Sequence, residues 1–210
     1  MIKNKVIAKG FFIKFNYNKK KFFKILNKKR LQLDKCKFIL VRQDPPFNLE
    51  YISTTYILDL IKNKVKILNN PSSIRNISEK LYSAKYQKYM PGTIFTQNIH
   101  EIRKFFKAHK KVILKPIHGF SGNDIYLLKK FDLKLILKFI KKHDHIVCQK
   151  YLPNISKGDK RVFLINGKVM GAISRVPKKG SFLSNMSKGA KPIKTKLSKK
   201  ENKISNLVAK

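Results

Sequence analysis

Two short apolar segments on either side of a helical pattern constrain the fold of this chain more than any other feature. Residues 36–41 predict a buried strand, which must end at the loop containing Pro45 and Pro46 because proline has no backbone N–H. Apolar residues then recur at helical spacing over 49–60, and 65–68 predict a second strand. This strand–loop–helix–strand order predicts a parallel α/β layer.

The rest of the chain follows a second pattern that is richer in hairpins. Asn166-Gly167 is a strong hairpin turn signal between the predicted strands 159–165 and 168–174. We expect 112–128 and 146–175 to form one antiparallel layer with helices on one side. Residues 1–35 are lysine-rich with interspersed aromatics, and the basic tail 176–210 lacks strong periodicity after Ile193. The remaining predictions are helices at 78–89, 101–107 and 132–142, strands at 112–114, 125–128 and 146–152, and a glycine-containing loop at 117–124.

The charge is strongly basic, with 49 Lys+Arg against 11 Asp+Glu and a formal net charge of +38. Only six of the cations are arginines, and the lysines are spread along almost the whole chain. Nucleic-acid readers usually cluster their charge and favour arginine for forked contacts. We therefore interpret the charge as solvated surface with an AT-biased coding history, and expect only weak, non-specific polyanion binding at low salt.

Several other classes of protein are excluded by composition. Hydrophobic residues make up 42% of the chain, which is too many for a disordered tail. No apolar run approaches the length of about 18 residues that a membrane-spanning helix needs, and the N-terminus has no signal-peptide pattern. The two cysteines, Cys36 and Cys148, are too few for a disulfide scaffold and lack metal-binding spacing. A reduced, cytoplasmic location is expected.

A lysine within an apolar strand is the first candidate for chemistry. Lys115 follows three apolar residues and precedes the loop 117–124, whose backbone N–H groups could approach a phosphate. An ordinary hairpin with a lysine that extends to water gives the same pattern. Arg161 and Arg175 lie on the two strands of the next hairpin, either as phosphate ligands or as exposed side chains. No histidine or cysteine pattern predicts a metal site.

Five segments of the chain resemble, in order and spacing, one enzyme family. They read RQDPPFNLEYISTTYIL, NNPSSIRNISEKLYSAKY, VILKPIHGFSGNDIY, QKYLPNISKGDKRVFLINGKV, and SRVPKKG followed by SNMSKGA. Together they are similar to the prokaryotic glutathione synthetases, which are ATP-grasp ligases. The resemblance implies an α/β fold that is α+β in its ATP-grasp part: a partial N-terminal α/β layer followed by an incomplete ATP-grasp domain. The implied parts are the remainder of a substrate domain at 1–76, a lid subdomain at 77–152, and a truncated C-terminal subdomain with a basic tail at 153–210.

The resemblance also implies an activity and a set of site residues. ATP phosphorylates the carboxylate of γ-glutamylcysteine, glycine attacks the acyl phosphate, and phosphate leaves. Lys80, Lys115 and Arg161 are expected to point into one cleft. The implied catalytic residues are Arg161, Arg175 and Asn185. The implied ATP-binding residues are Lys80, Lys115, Gly119, Phe120, Ser121, Gly122, Gln149, Tyr151, Leu152 and Asp159, and those of the peptide cleft are Arg42, Asp44, Pro45 and Pro46.

The chain departs from the family in its loop and at its ends. His118-Gly119-Phe120-Ser121-Gly122 stands where the family has DGMGG, and Leu183 stands where it has an arginine. After Asp159 the only carboxylate is Glu201, so the ligands of the implied Mg²⁺ are expected beyond residue 210. We therefore expect a fragment, truncated at both ends, that alone makes little glutathione.

The expected partners follow from the same resemblance. They are γ-glutamylcysteine and glycine, with a homo-oligomer or a complementing C-terminal fragment, and neither a specific nucleic acid nor a membrane. A non-catalytic ATP-grasp remnant is the alternative function, and a basic nucleic-acid-binding protein ranks below both.

Overall fold

The computed structural model describes residues 5–17 and 22–209, and the chain divides into two compact units. The first unit comprises residues 1–79 and the second residues 80–210. The sequence-based division into three parts, with boundaries after 76 and after 152, stays a prediction. Among the helices of the described residues, none has the length and apolar character needed to cross a membrane.

The first unit begins with a two-stranded antiparallel ribbon. Strand β1 (Ile7–Phe15) pairs with β2 (Phe23–Gln32), and a bulge interrupts the register between Phe11 and Ile13. Almost every side chain of the two strands is exposed. The sequence pattern did not predict this ribbon, because neither strand has the apolar–polar alternation of a half-buried sheet.

The parallel α/β layer of the first unit is confirmed. Strand β3 (Phe38–Leu40) pairs in parallel with β4 (Lys66–Leu68), and α1 (Leu49–Asp59) lies between them in sequence. A further helix, α2 (Pro71–Asn76), follows β4. The side chain of Asn48 caps α1 by accepting from the Tyr51 N–H at 3.0 Å. The buried core of this unit contains Val6, Leu58, Ile61 and Val65.

The first sheet of the second unit has four antiparallel strands in the order β5-β8-β6-β7. One of its faces packs against α3 and α4 around a core that includes Ile102, Leu114 and Ile136. The side-chain amide oxygen of Asn98 caps α3, and the carboxylate of Asp132 caps α4, as their sequence positions favour. The bounds are β5 (Thr93–Thr96), α3 (Ile99–His109), β6 (Val112–Pro116), β7 (Tyr126–Leu128), α4 (Leu133–His143) and β8 (Ile146–Lys150).

The second sheet of this unit has three antiparallel strands in the order β11-β10-β9. The hairpin predicted at Asn166-Gly167 is confirmed, and both turn residues have positive φ, 50° and 75°. The expectation of one continuous layer is wrong, because β9 pairs with β10 and not with β8. The elements are β9 (Asp159–Ile165), β10 (Lys168–Val176), β11 (Lys191–Lys194) and a final helix, α5 (Lys199–Val208).

Two further expectations about local structure need correction. The helix predicted over 78–89 is a 3-10 helix, Tyr82–Tyr89, with non-helical φ and ψ at Tyr86. The tail after Ile193 is not featureless, because α5 begins at a capping box in which the side chains of Ser198 and Glu201 satisfy each other's backbone N–H groups. Shorter 3-10 helices occupy Leu33–Lys35, Pro153–Lys157 and Met186–Lys188.

Candidate functional site

A row of polar side chains crosses three neighbouring strands of the four-stranded sheet. Lys115 on β6 donates from Nζ to Oε1 of Gln149 on β8 at 2.7 Å. Gln149 in turn donates from Nε2 to Oγ1 of Thr93 on β5 at 2.8 Å. The three residues are half-buried, so these bonds operate in a medium where a charge-assisted hydrogen bond is stronger than in water.

Strand alternation explains why this row lies where it does. Val112 and Leu114 are fully buried in the core formed with the helices. Because side chains alternate along a strand, Lys115 must point to the opposite face of β6. Cys148 of β8 is also in that core, which places its neighbour Gln149 on the same face as Lys115. An ammonium group and an amide therefore lie together on the face away from α3 and α4.

A second lysine holds the start of the loop that follows β6. Lys80 donates from Nζ to the carbonyl oxygen of Ile117 at 3.1 Å and to that of Gly119 at 2.6 Å. Both bonds are part-buried. Lys80, which lies 37 to 39 residues earlier in the chain, thus fixes the first residues of the loop 117–124 in position.

The tip of the same loop has a turn geometry that glycine favours. Ser121, Gly122 and Asp124 all have positive φ, at 53°, 74° and 52°. A Cβ at position 122 would lie 2.6 Å from Oδ1 of Asn185, which is closer than real Cβ contacts come. Lys188 donates from Nζ to Oδ1 of Asn123 at 2.7 Å. The loop tip is therefore packed against the turn 185–189 that precedes β11.

A cavity of about 520 Å³ opens on the helix side of this loop. It is lined by loop residues 118–124 in part and by the end of α4, including Lys142 and His143. Asp124 lies 2.7 Å from Nζ of Lys142 and 3.3 Å from Nε2 of His143. The hydrogen bond from Lys142 lowers the pKa of the Asp124 carboxyl, whereas burial lowers the pKa of His143. A carboxylate–ammonium pair thus links the end of the loop to α4.

In the three-stranded sheet, a forked ion pair joins two of the predicted site residues. Arg175 donates from Nε to Oδ1 of Asp159 at 2.7 Å and from Nη2 to Oδ2 at 2.6 Å. The two residues are direct cross-strand partners on β10 and β9. Arg161 lies two positions along β9 from Asp159, opposite Ile173, and is exposed. The expectation that Arg161 shares a cleft with Lys80 and Lys115 stays a prediction.

The other predicted residues are distributed over both units. Tyr151 donates its backbone N–H to the Lys111 carbonyl at 3.0 Å, and Leu152 is about half exposed. Within the first unit, Arg42, Asp44, Pro45 and Pro46 form an exposed coil after β3. The adjacent Tyr51 hydroxyl donates to the Gln43 carbonyl at 3.3 Å. These roles also stay predictions.

Family models cover both units of the chain. The model for the N-terminal domain of prokaryotic glutathione synthetase matches residues 1–75, and the model for its ATP-grasp domain matches residues 79–210.

The chain belongs to the prokaryotic glutathione synthetase family.

Curated relatives agree with this assignment. Glutathione synthetase of Buchnera aphidicola subsp. Schizaphis graminum is 33% identical over 203 residues, covering 94% of this chain and 63% of the relative. That of Buchnera aphidicola subsp. Baizongia pistaciae is 36% identical, covering 98% and 66%. That of Bradyrhizobium diazoefficiens is 35% identical, covering 84% and 57%. The chain thus spans less than two thirds of the length of these relatives.

Solved structures of low sequence identity show the same fold. The D-cycloserine synthetase DcsG superposes with a TM-score of 0.64 at 12% identity, covering 85% of this chain and 66% of that chain. D-alanyl-alanine synthetase A of Vibrio cholerae gives 0.59 at 15% identity, covering 95% and 64%. The predicted α+β organisation of the ATP-grasp part is therefore confirmed.

The family uses ATP and typically Mg²⁺, and the described residues suit these two groups differently. The two lysines beside the loop 117–124 suit a polyphosphate, because they combine half-buried ammonium groups with a glycine-containing turn. Mg²⁺ prefers carboxylate oxygens, and residues 5–17 and 22–209 contain no cluster of three or more His, Cys, Asp or Glu that could hold a metal. Asp159 and Glu201 are each paired with a cation. The described residues therefore do not gather a cluster of the carboxylate oxygens that Mg²⁺ prefers.

Sequence reasoning missed Thr93 and the strand that carries it. The signal was present, since Thr93-Ile94-Phe95-Thr96 is rich in β-branched and aromatic residues and follows Pro91-Gly92. The pairing of Thr93 with Gln149 could not have been read from the sequence, because the two residues are 56 positions apart.

Proposed function

We propose that this chain is a glutathione synthetase-like, ATP-dependent carboxylate–amine ligase that joins γ-glutamylcysteine to glycine. Family membership over both units supports the proposal, and the observation that carries it is the pair of half-buried lysines at one loop. Lys80 is bonded to the loop backbone and Lys115 lies on the preceding strand. Such a pair suits a nucleoside triphosphate, whose negative charge offsets the cost of holding two half-buried ammonium groups near the first residues of the loop.

The proposed reaction has two steps. A carboxylate oxygen of the peptide attacks the γ-phosphorus of ATP, and ADP leaves with the electrons of the broken P–O bond. The amine of glycine then attacks the acyl carbon, loses a proton, and expels phosphate. In this proposal Lys115 and Lys80 neutralise phosphate oxygens, and the loop 117–124 excludes water from the acyl phosphate. Arg161, Arg175 and Asn185 are proposed to face the transferring phosphoryl group.

The unpaired thiols are consistent with the expected compartment. Cys36 and Cys148 are both free, and Cys148 is buried. We also propose a cytoplasmic location on this ground, since reduced thiols are the rule there.

Purified chain tests the proposal in two stages. Isothermal titration with ATP, with and without Mg²⁺, measures nucleotide binding, and mass spectrometry then measures glutathione formed from γ-glutamylcysteine, glycine and ATP. We expect Lys115→Met to weaken ATP binding at least tenfold, about the effect of one charge-assisted hydrogen bond. The matched control is Lys138→Met, which removes the same charge from an exposed position on α4.

Each outcome of this experiment has a distinct meaning. ATP binding with ligation supports the synthetase. ATP binding without ligation supports the alternative, a nucleotide-binding ATP-grasp protein without turnover. Equal loss of binding in Lys115→Met and Lys138→Met, or no binding at all by the unmodified chain, would contradict the proposed site.

A further inference from the structure

The polar row on the four-stranded sheet has a direction that its chemistry fixes. The Thr93 hydroxyl donates to the Pro91 carbonyl oxygen at 2.7 Å, and a carbonyl can only accept. At the other end of the row, the Lys115 ammonium can only donate. Between these two ends lies the Gln149 side-chain amide, which both donates and accepts. The row therefore has an acceptor at one end and a donor at the other.

This polarity leaves the Gln149 amide only one orientation. Because the Thr93 hydroxyl hydrogen is used by Pro91, its oxygen receives a hydrogen bond from the amide nitrogen of Gln149, at 2.8 Å. The amide oxygen must then point the other way, and it accepts from Nζ of Lys115 at 2.7 Å. A reversed amide would place its NH₂ group against an ammonium, which is repulsive.

We propose that Thr93 is a positioning residue for the nucleotide site, which acts through Gln149 to hold the Lys115 ammonium on the face of the sheet away from α3 and α4. Thr93 is hydrogen-bonded to Gln149, and Gln149 to the lysine. Its effect is to fix which atom of the Gln149 amide faces the lysine, and so where the positive charge lies. The role in nucleotide binding rests on the proposed function, whereas the orientation of the amide does not.

Backbone pairing makes this arrangement rigid enough to matter. Thr93 and Gln149 are direct cross-strand partners in the β5–β8 ladder, and Gln149 is also paired with Ile113 of β6. The Lys150 N–H donates to the Gly92 carbonyl at 2.8 Å, which fixes the end of the same ladder. The hydroxyl, the amide and the ammonium thus come from three strands whose spacing is set by hydrogen bonds. A site built on strands keeps its side chains positioned more accurately than one built on loops.

The test uses three variants of the full chain. Thr93→Val keeps the shape of the side chain and removes the hydroxyl, whereas Thr93→Ser restores the hydroxyl. Thr195→Val is the matched control, because it removes a half-buried hydroxyl from the residue directly after β11, outside the four-stranded sheet. Nuclear magnetic resonance of ¹⁵N-labelled protein without nucleotide measures the Gln149 side-chain amide and the Lys115 ammonium. Titration with ATP measures binding.

The expected results separate positioning from simple loss of stability. In Thr93→Val we expect the Gln149 amide protons to exchange with water faster, the Lys115 ammonium signal to shift, and the Kd for ATP to rise about tenfold. Thr93→Ser should restore all three values, and Thr195→Val should leave them unchanged.

Two results would overturn the inference. The first is an unchanged Gln149 amide and Lys115 signal in Thr93→Val, which disproves the orienting role whether or not ATP binds. The second is an altered spectrum with an unchanged Kd for ATP, which disproves the role in the site. Failure of the unmodified chain to bind ATP refutes the proposed function and with it the nucleotide role of Thr93, while the spectra still decide the orientation.

Discussion

Breaking the forked ion pair between Arg175 and Asp159 should loosen the three-stranded sheet by a measurable amount. The Arg175 side chain is 15% exposed and that of Asp159 is 35% exposed, so the pair lies between the surface and buried cases. Exposed pairs contribute about 0.2–1 kcal/mol, whereas removal of one partner of a buried pair costs about 3–5 kcal/mol. Two parallel hydrogen bonds at 2.7 and 2.6 Å add to the geometry. We therefore expect a coupling energy of about 2 kcal/mol between the two side chains.

A double-mutant cycle measures this coupling directly. The variants are Asp159→Ala, Arg175→Met and the combination, and the readout is amide hydrogen exchange in β9 and β10, which reports local opening of the hairpin. Asp159→Ala should cost more than the coupling energy, because it leaves a half-buried guanidinium without its carboxylate. The double variant should recover about 2 kcal/mol relative to the sum of the two single effects. Additivity within about 0.5 kcal/mol would refute the reasoning.

Three other predictions follow from single features of the structure. Burial raises the pKa of the Cys148 thiol to about 12, so a thiol reagent at pH 8 should modify Cys36 in the native chain and Cys148 only after unfolding; two fast-reacting thiols would contradict this. The hydrogen bond from Lys160 lowers the pKa of the Glu201 carboxyl to about 2. The ionised carboxylate therefore stabilises α5, by less than about 1 kcal/mol at this exposure. This stabilisation is complete above about pH 4.5 and is lost as the pH falls towards 2. Circular dichroism should show this loss, and Lys160→Met should make it smaller, because the Ser198 backbone N–H still donates to the Glu201 carboxylate. Gly122→Ala should destabilise the loop by about 1 kcal/mol or more, because φ is positive there and the new Cβ meets the turn at 185–189; an unchanged melting temperature would show that the turn moves away freely.

Elements with strong local signals could be predicted from the sequence. The helix α4 has apolar residues on one side and a capping aspartate, Asp132, directly before it. The Asn166-Gly167 turn specifies its hairpin through φ values that few other residue pairs adopt. The parallel pair β3 and β4 follows from the order of strand, helix and strand. In each case the signal is contained within about 30 residues of sequence.

Other features could not be predicted, because they depend on pairing between distant segments. The division of the second unit into two sheets is decided by the partner of β9, which no local pattern specifies. The β1–β2 ribbon has side chains exposed on both faces, so the apolar alternation on which strand prediction relies is lacking. The same limit applies to the candidate site. The resemblance predicts Lys80, and the apolar strand already indicates Lys115, but their contacts with Gly119 and Gln149 join residues more than 30 positions apart.

The hydrogen bonds that hold the loop 117–124 are stronger at its start than at its tip, and this difference decides where the loop can move. At its start, Lys80 makes two part-buried, charge-assisted hydrogen bonds to backbone carbonyls, which are the stronger kind. At its tip, the bond from Lys188 to Asn123 is exposed, and water can replace it at little cost. Gly122 also lies at the tip, where a positive φ costs glycine nothing. We therefore expect any opening of the loop to begin at the tip, while Lys80 keeps its first residues in place beside the strand that carries Lys115.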